Sequence, residues 1–245
     1  MPKDTLFRGK RKDSVFQFDR AVSDVFDDMV ERSVPFYCNV QSLILDFSSV
    51  FVMEGTAVYD IGCSTGTTLS ALLSSRVVAE KASKLIGIDK STAMLVHAKK
   101  KCEEVSESCP YELHCWDLEK DINLEASSVI ILNLTLQFLT LSARKRVLQR
   151  CFEALKLGGV VIIVEKLCSP DDKVQSCYDA LYHSFKKKNG YSSSEILNKQ
   201  ASLKTVLRPL SFQENTHLLS QTGYVRVESF FRWLNFAGFI AFKGG

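Results

Sequence analysis

The sequence predicts an α/β protein with a doubly wound, mostly parallel seven-stranded sheet, N-terminal helices, a helical insertion and an antiparallel strand near the C-terminus. Three observations predict it. Between residues 56 and 166, short apolar runs alternate with helix-like stretches, the pattern of βαβ units. Those runs are continuously apolar rather than alternating, so helices cover the sheet on both faces. Two later runs, Tyr224–Phe231 and Ala237–Phe242, are joined by a short turn. So close a pair is antiparallel, because a parallel crossover needs about a dozen residues or more.

The elements follow in order. Phe18, Val22, Val25, Phe26, Met29 and Val30 recur at spacings of three and four, one face of an amphipathic helix. Pro35 breaks it, and Phe36, Val40, Leu43, Ile44, Phe47 and Val50 suggest a second helix. Residues 13–52 thus read as a helical cover ahead of the first strand. Thr56–Asp60 is a short strand ending at Gly62, and Thr67–Ser75 a helix. Lys84–Asp89 is a strand ending in an acid, and Ser91–Glu104 a helix with Ser91 or Thr92 as N-cap. Tyr111–Cys115 is a weaker strand and Ser128–Asn133 a strong one. Leu141–Leu157 reads as a helix with Gly158-Gly159 as its C-cap signal, before the strand Val160–Glu165. Asp171–Asn189, ending at Gly190, and Ser193–Val206 read as helices that interrupt the alternation, so residues 171–208 form an insertion over the sheet. No repeat or low-complexity linker divides the chain, and residues 1–245 read as a single domain.

Composition bounds the function. Hydrophobic residues make up 46% and charged residues 24% of the 245, ordinary usage that excludes a disordered chain, a coiled coil and a disulfide scaffold. The net charge of +3 is too mild for strong nucleic-acid binding. The longest apolar runs, Ser128–Leu134 and Gly159–Val164, fall short of the ~20 residues that span a bilayer. The charged N-terminus has no apolar segment behind it that would make a secretory signal, so a cytoplasmic protein is expected. None of the eight cysteines forms a Cys-x-x-Cys pair. Cys102, Cys109, His114 and Cys115 lack the paired short spacing of a tetrahedral site, so no metal is expected and the thiols are expected to be reduced.

The chemistry concentrates at strand ends. Asp60-Ile-Gly62-Cys63-Ser64-Thr65-Gly66 lies between a strand and a helix. Glycines there permit positive φ and let the backbone approach a ligand, and the following helix offers free N–H groups; a tight structural turn would use the same residues. Asp89 ends the second strand, where an acid accepts hydrogen bonds from ribose hydroxyls, or simply favours the helix starting after it. Asp117 follows the third strand and Asn133 ends the fourth. Polar residues at the carboxyl ends of successive parallel strands converge on one crevice, which points to a nucleotide-like cofactor. The Gly-Lys-Ser/Thr of a phosphate loop is missing, and Ser64 replaces a glycine of the dinucleotide fingerprint.

Other features read more plainly. His97 and His183 on helices and His114 on a strand are surface or packing residues more often than catalysts. Ser64 and Ser192 have no adjacent histidine, so a nucleophilic triad is unsupported. The runs Lys99–Lys101 and Lys186–Lys188 read as solvated faces, with attraction for phosphate as the functional alternative. The basic run 8–12 reads as a loose tail. Phe230, Phe231, Trp233 and Phe236 in the last hairpin read as core or dimer contact.

The loop Asp60–Gly66 together with the closing antiparallel pair resembles the class I S-adenosylmethionine-dependent methyltransferases. Further segments narrow the resemblance: Asp4-Thr-Leu-Phe7, Phe18-Asp19, Val25-Phe26, Asp28-Met29, Arg32-Ser-Val-Pro35-x-Tyr37-x-Asn39, Leu132-Asn133-x-Thr135-Leu-Gln-Phe-Leu139, Glu165-Lys166 and Phe185-Lys-x-x-Asn189-Gly-Tyr-Ser192. Over nearly the whole chain these are similar to the carboxy-S-adenosyl-L-methionine synthases of bacterial transfer-RNA wobble-uridine modification. The resemblance implies that S-adenosylmethionine and prephenate react to give carboxy-S-adenosyl-L-methionine and phenylpyruvate. It implies a homodimer, and a link to transfer RNA only through a downstream enzyme. It also implies that Tyr37, Gly62, Cys63, Ser64, Asp89, Lys90, Asp117, Leu118 and Asn133 bind the cofactor, and it names no catalytic base. One position departs from the family. An arginine that grips the extra carboxylate corresponds here to Gln200, which offers neutral hydrogen bonds in place of a bidentate ion pair. Lys204 is a cationic substitute nearby, while Lys199 points another way on a helix. Gln200 favours the alternative of a conventional methyltransferase acting on a small molecule or RNA; a non-catalytic scaffold would need neither the loop nor the strand-end residues.

Overall fold

The computed structural model describes residues 2–8, 15–105 and 109–244. The basic run 8–12 falls outside them from residue 9 onward, as do residues 13 and 14 of the expected cover. Helices α1 (Arg20–Ser33) and α2 (Tyr37–Phe51) precede strand β1 (Ala57–Ile61). Then come α3 (Thr67–Ser74), α4 (Arg76–Lys81), β2 (Lys84–Asp89), α5 (Thr92–Val105), β3 (Tyr111–Cys115), β4 (Ser127–Asn133), α6 (Leu141–Ala154) and β5 (Leu155–Lys166). Helices α7 (Asp172–Lys188), α8 (Ser193–Leu203) and α9 (Phe212–Thr222) lead to the hairpin β6 (Arg226–Trp233) and β7 (Phe236–Phe242).

The strands form one seven-stranded sheet in the order β3-β2-β1-β4-β5-β7-β6. The first five pair in parallel, and β7 runs antiparallel to both β5 and β6. Chain order reverses between β1 and β4, so the crevice at the carboxyl ends of these strands is the topological switch point, where open α/β sheets bind ligands.

Burial shows why the strands are apolar throughout. Tyr59, Ile61, Ile130 and Leu132 pack on one face with Val147, Leu148, Leu218 and Leu219 of α6 and α9. Val58, Val129 and Ile131 pack on the other with Ile44, Leu69 and Leu72 of α2 and α3. Successive side chains of each strand enter different cores, so no polar alternation survives.

Three expectations are corrected. Helix α6 ends at Ala154 rather than at residue 157, and Gly158-Gly159 lies inside β5. The ammonium of Lys243 supplies the missing cap, donating to the carbonyls of Phe152 and Leu155 at 2.7 Å each. Gly158, at φ +78°, instead bends the strand so that its N–H donates to the Lys243 carbonyl at 3.0 Å. Helices α4 and α9 were not anticipated. The second announces itself through the capping box of Ser211 and Glu214. Helix α8 stops at Leu203, three residues short of the expected end.

Among the described residues, which include all eight cysteines, no disulfide forms, no cluster of acidic, histidine and cysteine side chains has metal-site geometry, and no helix is long and apolar enough to cross a membrane.

Candidate active site

The glycine loop is built by backbone constraint. The amides of Gly62 and Cys63 both donate to the Ile88 carbonyl, at 2.7 and 3.0 Å, which splices the end of β1 to β2. Gly62, Ser64 and Gly66 all have positive φ, at +79°, +48° and +76°. Thr135 Oγ1 donates to the Ile61 carbonyl at 2.9 Å, and a Cβ on Gly62 would run into that threonine. Gly62→Ala therefore costs about 1–3 kcal/mol of stability. Gly55, at φ +70° with open space around it, is the control. Urea midpoints should fall clearly further for Gly62→Ala than for Gly55→Ala, and equal losses would mean that strain alone, without the Thr135 clash, sets the requirement.

Three carboxyl-bearing strand ends follow. Asp89 Oδ2 accepts from the Ser64 amide at 3.0 Å and Oδ1 from the Ser91 amide at 2.8 Å. One side chain thus fixes both the glycine loop and the start of α5, where Ser91 Oγ caps the Met94 amide. Burial pushes the Asp89 carboxyl above its ordinary pKa, against the pull of the two amides and Lys90. Asp60 is buried, and burial followed by the Asp89 charge raises it to about 7. Asp60 Oδ2 and Asn133 Oδ1 have no partner among the described residues. Asp117 Oδ1 accepts from the Glu119 amide at 3.0 Å.

The N-terminal cover and the insertion latch together above these ends. Tyr191 donates to Asp4 Oδ2 at 2.7 Å, Arg32 Nη2 to the Asp4 carbonyl at 2.9 Å, Tyr182 to the Ser33 carbonyl at 2.8 Å and Asn189 Nδ2 to the Arg32 carbonyl at 3.1 Å. Helix α1 is pinned to the glycine loop through Asp27, which accepts from Thr65 Oγ1 at 2.6 Å and pairs with Lys101 at 2.7 Å. Lys101 is therefore a clamp and not part of a solvated face.

Beneath the cap lies a cavity of about 1460 Å³. Tyr37, Gly62, Cys63, Ser64, Asp89, Lys90, Asp117, Leu118, Asn133 and Gln200 all line it. Lys199 and Lys204 line it too. Lys199 was expected to turn away from Gln200's side, yet both line this cavity, as do Ile196 and Leu203 of the same helix. Phe18, Phe26, Met29 and Phe138 give it an apolar wall, with Phe18 set edge-on against Phe138 at 5.1 Å. The donor set fits S-adenosylmethionine. Unpartnered carboxylate and amide oxygens can accept from ribose hydroxyls and an α-ammonium group, carboxylates can offset a sulfonium charge, and the apolar wall can take an adenine.

Comparison with known proteins agrees with this geometry. A family model described as a methyltransferase domain matches residues 58–159. Carboxy-S-adenosyl-L-methionine synthase of Desulfotalea psychrophila is 39% identical over 98% of this chain and 97% of its own. Those of Methylococcus capsulatus and Campylobacter fetus are 35% and 38% identical over 99% and 98% of this chain and all of theirs. The chain belongs to the carboxy-S-adenosyl-L-methionine synthase family.

Solved structures support the class I methyltransferase fold of this carboxy-S-adenosyl-L-methionine synthase family member. The apo methyltransferase SibL superposes with a TM-score of 0.64 at 15% identity, over 92% of this chain and 58% of its own. Human N-acetylserotonin methyltransferase, solved with S-adenosylmethionine, gives 0.59 at 16%, over 92% and 56%. Several cavity residues carried no signal as isolated sequence features. Lys166 closes β5 two residues beyond Val164, the residue paired with Asn133 on β4, so the strand-end rule applied to Asp89 and Asn133 also points to it. Lys186 was read as part of a charged face. His183 lines the cavity, and its Nε2 has no partner among the described residues.

Proposed function

We propose that this protein makes carboxy-S-adenosyl-L-methionine from S-adenosylmethionine and prephenate, with phenylpyruvate released. The observation that carries the reading is that the strand-end acceptors and the insertion helices, with the family's segments on both, face one cavity. In this reading the whole chain acts as a single domain. Asp89 holds the ribose and Lys90 flanks it. Asp117 and Leu118 bracket the adenine, Gly62, Cys63 and Ser64 run along the methionine portion, Tyr37 touches the cofactor from the N-terminal helices, and Asn133 faces the sulfonium. Bound S-adenosylmethionine supplies a methyl group made acidic by the sulfonium charge, the carbon that gains the carboxyl group. The chain's part is to orient the two substrates and exclude water, for which the wall of Phe18, Phe26, Met29 and Phe138 and the latched cap are suited. Aromatisation of prephenate releases its ring carboxyl as carbon dioxide and its ring hydroxyl as hydroxide, which takes up the methyl proton as water. We further propose a cytoplasmic homodimer whose product serves transfer-RNA modification through a separate enzyme.

Mass spectrometry of the nucleoside recovered after incubation with S-adenosylmethionine and prephenate tests this. A species heavier than S-adenosylmethionine by one carbon dioxide is expected. Recovery of S-adenosylmethionine or its demethylated form alone would favour the conventional methyltransferase, the reading Gln200 supports by replacing a charged partner with a neutral one.

A further inference from the structure

Three lysines reach the same cavity from three elements: Lys166 from the end of β5, Lys186 from α7 and Lys199 from α8. The ammonium groups of Lys166 and Lys186 lie 4.9 and 4.3 Å from the centre of the Tyr182 ring. Lys199 donates to Ser33 Oγ at 3.1 Å, and Tyr182 donates to the carbonyl of that same Ser33. Tyr182 and Ser33 therefore gather the three charges around one spot. Two other cations of this region have an acid in contact, Lys101 with Asp27 and Arg32 with Asp28. Among the described residues no carboxylate lies within ion-pair distance of Lys166, Lys186 or Lys199; Asp179, on the cavity wall, acts on Lys166 and Lys186 only from farther away.

Three like charges brought together at half-buried positions are unfavourable unless counter-charge arrives. Cation–π contacts, of Lys166 and Lys186 with Tyr182 and of Lys199 with Tyr191 at 5.6 Å, offset a small part of that cost. Desolvation accordingly lowers all three amines, Lys186 to about 8 and Lys199 to about 7. A small anion entering the cavity would supply that counter-charge.

We propose that Lys166, Lys186 and Lys199 form an anion recess that receives the two carboxylates of the second substrate, one of which is the group transferred. The recess supplies the positive charge that Gln200 lacks. The choice of a dicarboxylate rests on the function proposed above; the recess itself rests on the lysines.

Calorimetric titration of prephenate into protein saturated with S-adenosylmethionine tests it, with Lys166→Met, Lys186→Met and Lys199→Met compared against wild type. Each variant should weaken prephenate binding roughly tenfold, with S-adenosylmethionine affinity changed by less than about twofold. Lys186→Arg, which keeps the charge, should stay within about threefold of wild type. Unchanged prephenate affinity in the methionine variants would overturn the recess while leaving the carboxy-S-adenosyl-L-methionine reading in place. So would an equal loss in Lys186→Arg, which would assign the effect to packing. Wild type that ignores prephenate but binds malonate or inorganic phosphate in a lysine-dependent way would uphold the recess and overturn the prephenate reading.

Discussion

Asp89→Ala should weaken S-adenosylmethionine binding by at least about a hundredfold in calorimetry. The expected loss is large because Asp89 does two things at once. In the proposed reading its carboxylate accepts from a ribose, and both its oxygens already hold backbone amides, those of Ser64 and Ser91. Alanine removes the ligand's acceptor and leaves those two amides without a partner, each at a cost of about 1–3 kcal/mol. Some of that loss falls on stability rather than on binding, because Ser64 sits at φ +48° in a loop that Asp89 restrains. Asp89→Asn separates the two. It keeps the shape and one acceptor oxygen, so the loop should hold better and the thermal midpoint should fall less than in Asp89→Ala. The affinity should remain well below wild type, because the neutral amide is a weaker acceptor for hydroxyls than a carboxylate. An Asp89→Ala protein that binds with unaltered affinity would remove Asp89 from the cofactor site and leave it as a loop brace.

Much of the parallel sheet and one side of the cavity were legible in the sequence for a single physical reason. A polar residue that ends a continuously apolar run has few places to go except the crevice at the strand ends. Asp89 and Asn133 each end such a run, and the structure brings both to one cavity. Lys166 ends a run in the same way, yet a lysine there reads as an exit into solvent, because its long stem can carry the charge to water from almost any position. Lys186 was hidden differently. Its neighbours Lys187 and Lys188 are exposed, and a run of three charges on a helix gives no hint that one turns inward. Helix α7 buries none of its residues fully, so it presents no apolar stripe by which its inner side could be found. Lys101 escaped for the same reason, since its partner Asp27 lies on a helix 74 positions earlier. The Gly158-Gly159 signal misled because another residue supplied the helix cap. Lys243 comes from the far end of the chain, a contact that no local pattern encodes. Gln200 carried no signal of its own, and only the resemblance singled it out.

Binding of a dicarboxylate to the cofactor-loaded protein should be tightest below about pH 7 and fall steeply toward pH 9. The sign follows from the lysines. A lysine free in water keeps its proton to pH values above 10, but desolvation lowers Lys199 to about 7 and Lys186 to about 8. Around Lys199, Asp4 and Asp28 pull its pKa upward while Lys186 and Arg32 push it down, and burial outweighs them all. Above pH 7 the empty recess has therefore begun to shed protons. An arriving dianion restores them, so binding takes up about one proton and the affinity falls about tenfold per pH unit. Once Lys186 also titrates, above pH 8, the slope steepens. Asp60 and Glu165, raised to about 7 and about 8, ionise in the same window and add negative charge to the protein, so the slope alone does not identify the lysines. Lys199→Met does. Removing the amine of lower pKa should move the onset of the decline from about pH 7 to about pH 8, nearer the Lys186 value, whereas an effect carried by Asp60 and Glu165 would keep its onset near 7 in the variant. A flat profile in the wild-type protein would mean that no group facing the anion titrates between pH 7 and pH 9; the anion would then be held by neutral donors such as Gln200 if Lys199→Met also binds it normally, and by lysines of ordinary pKa if it does not.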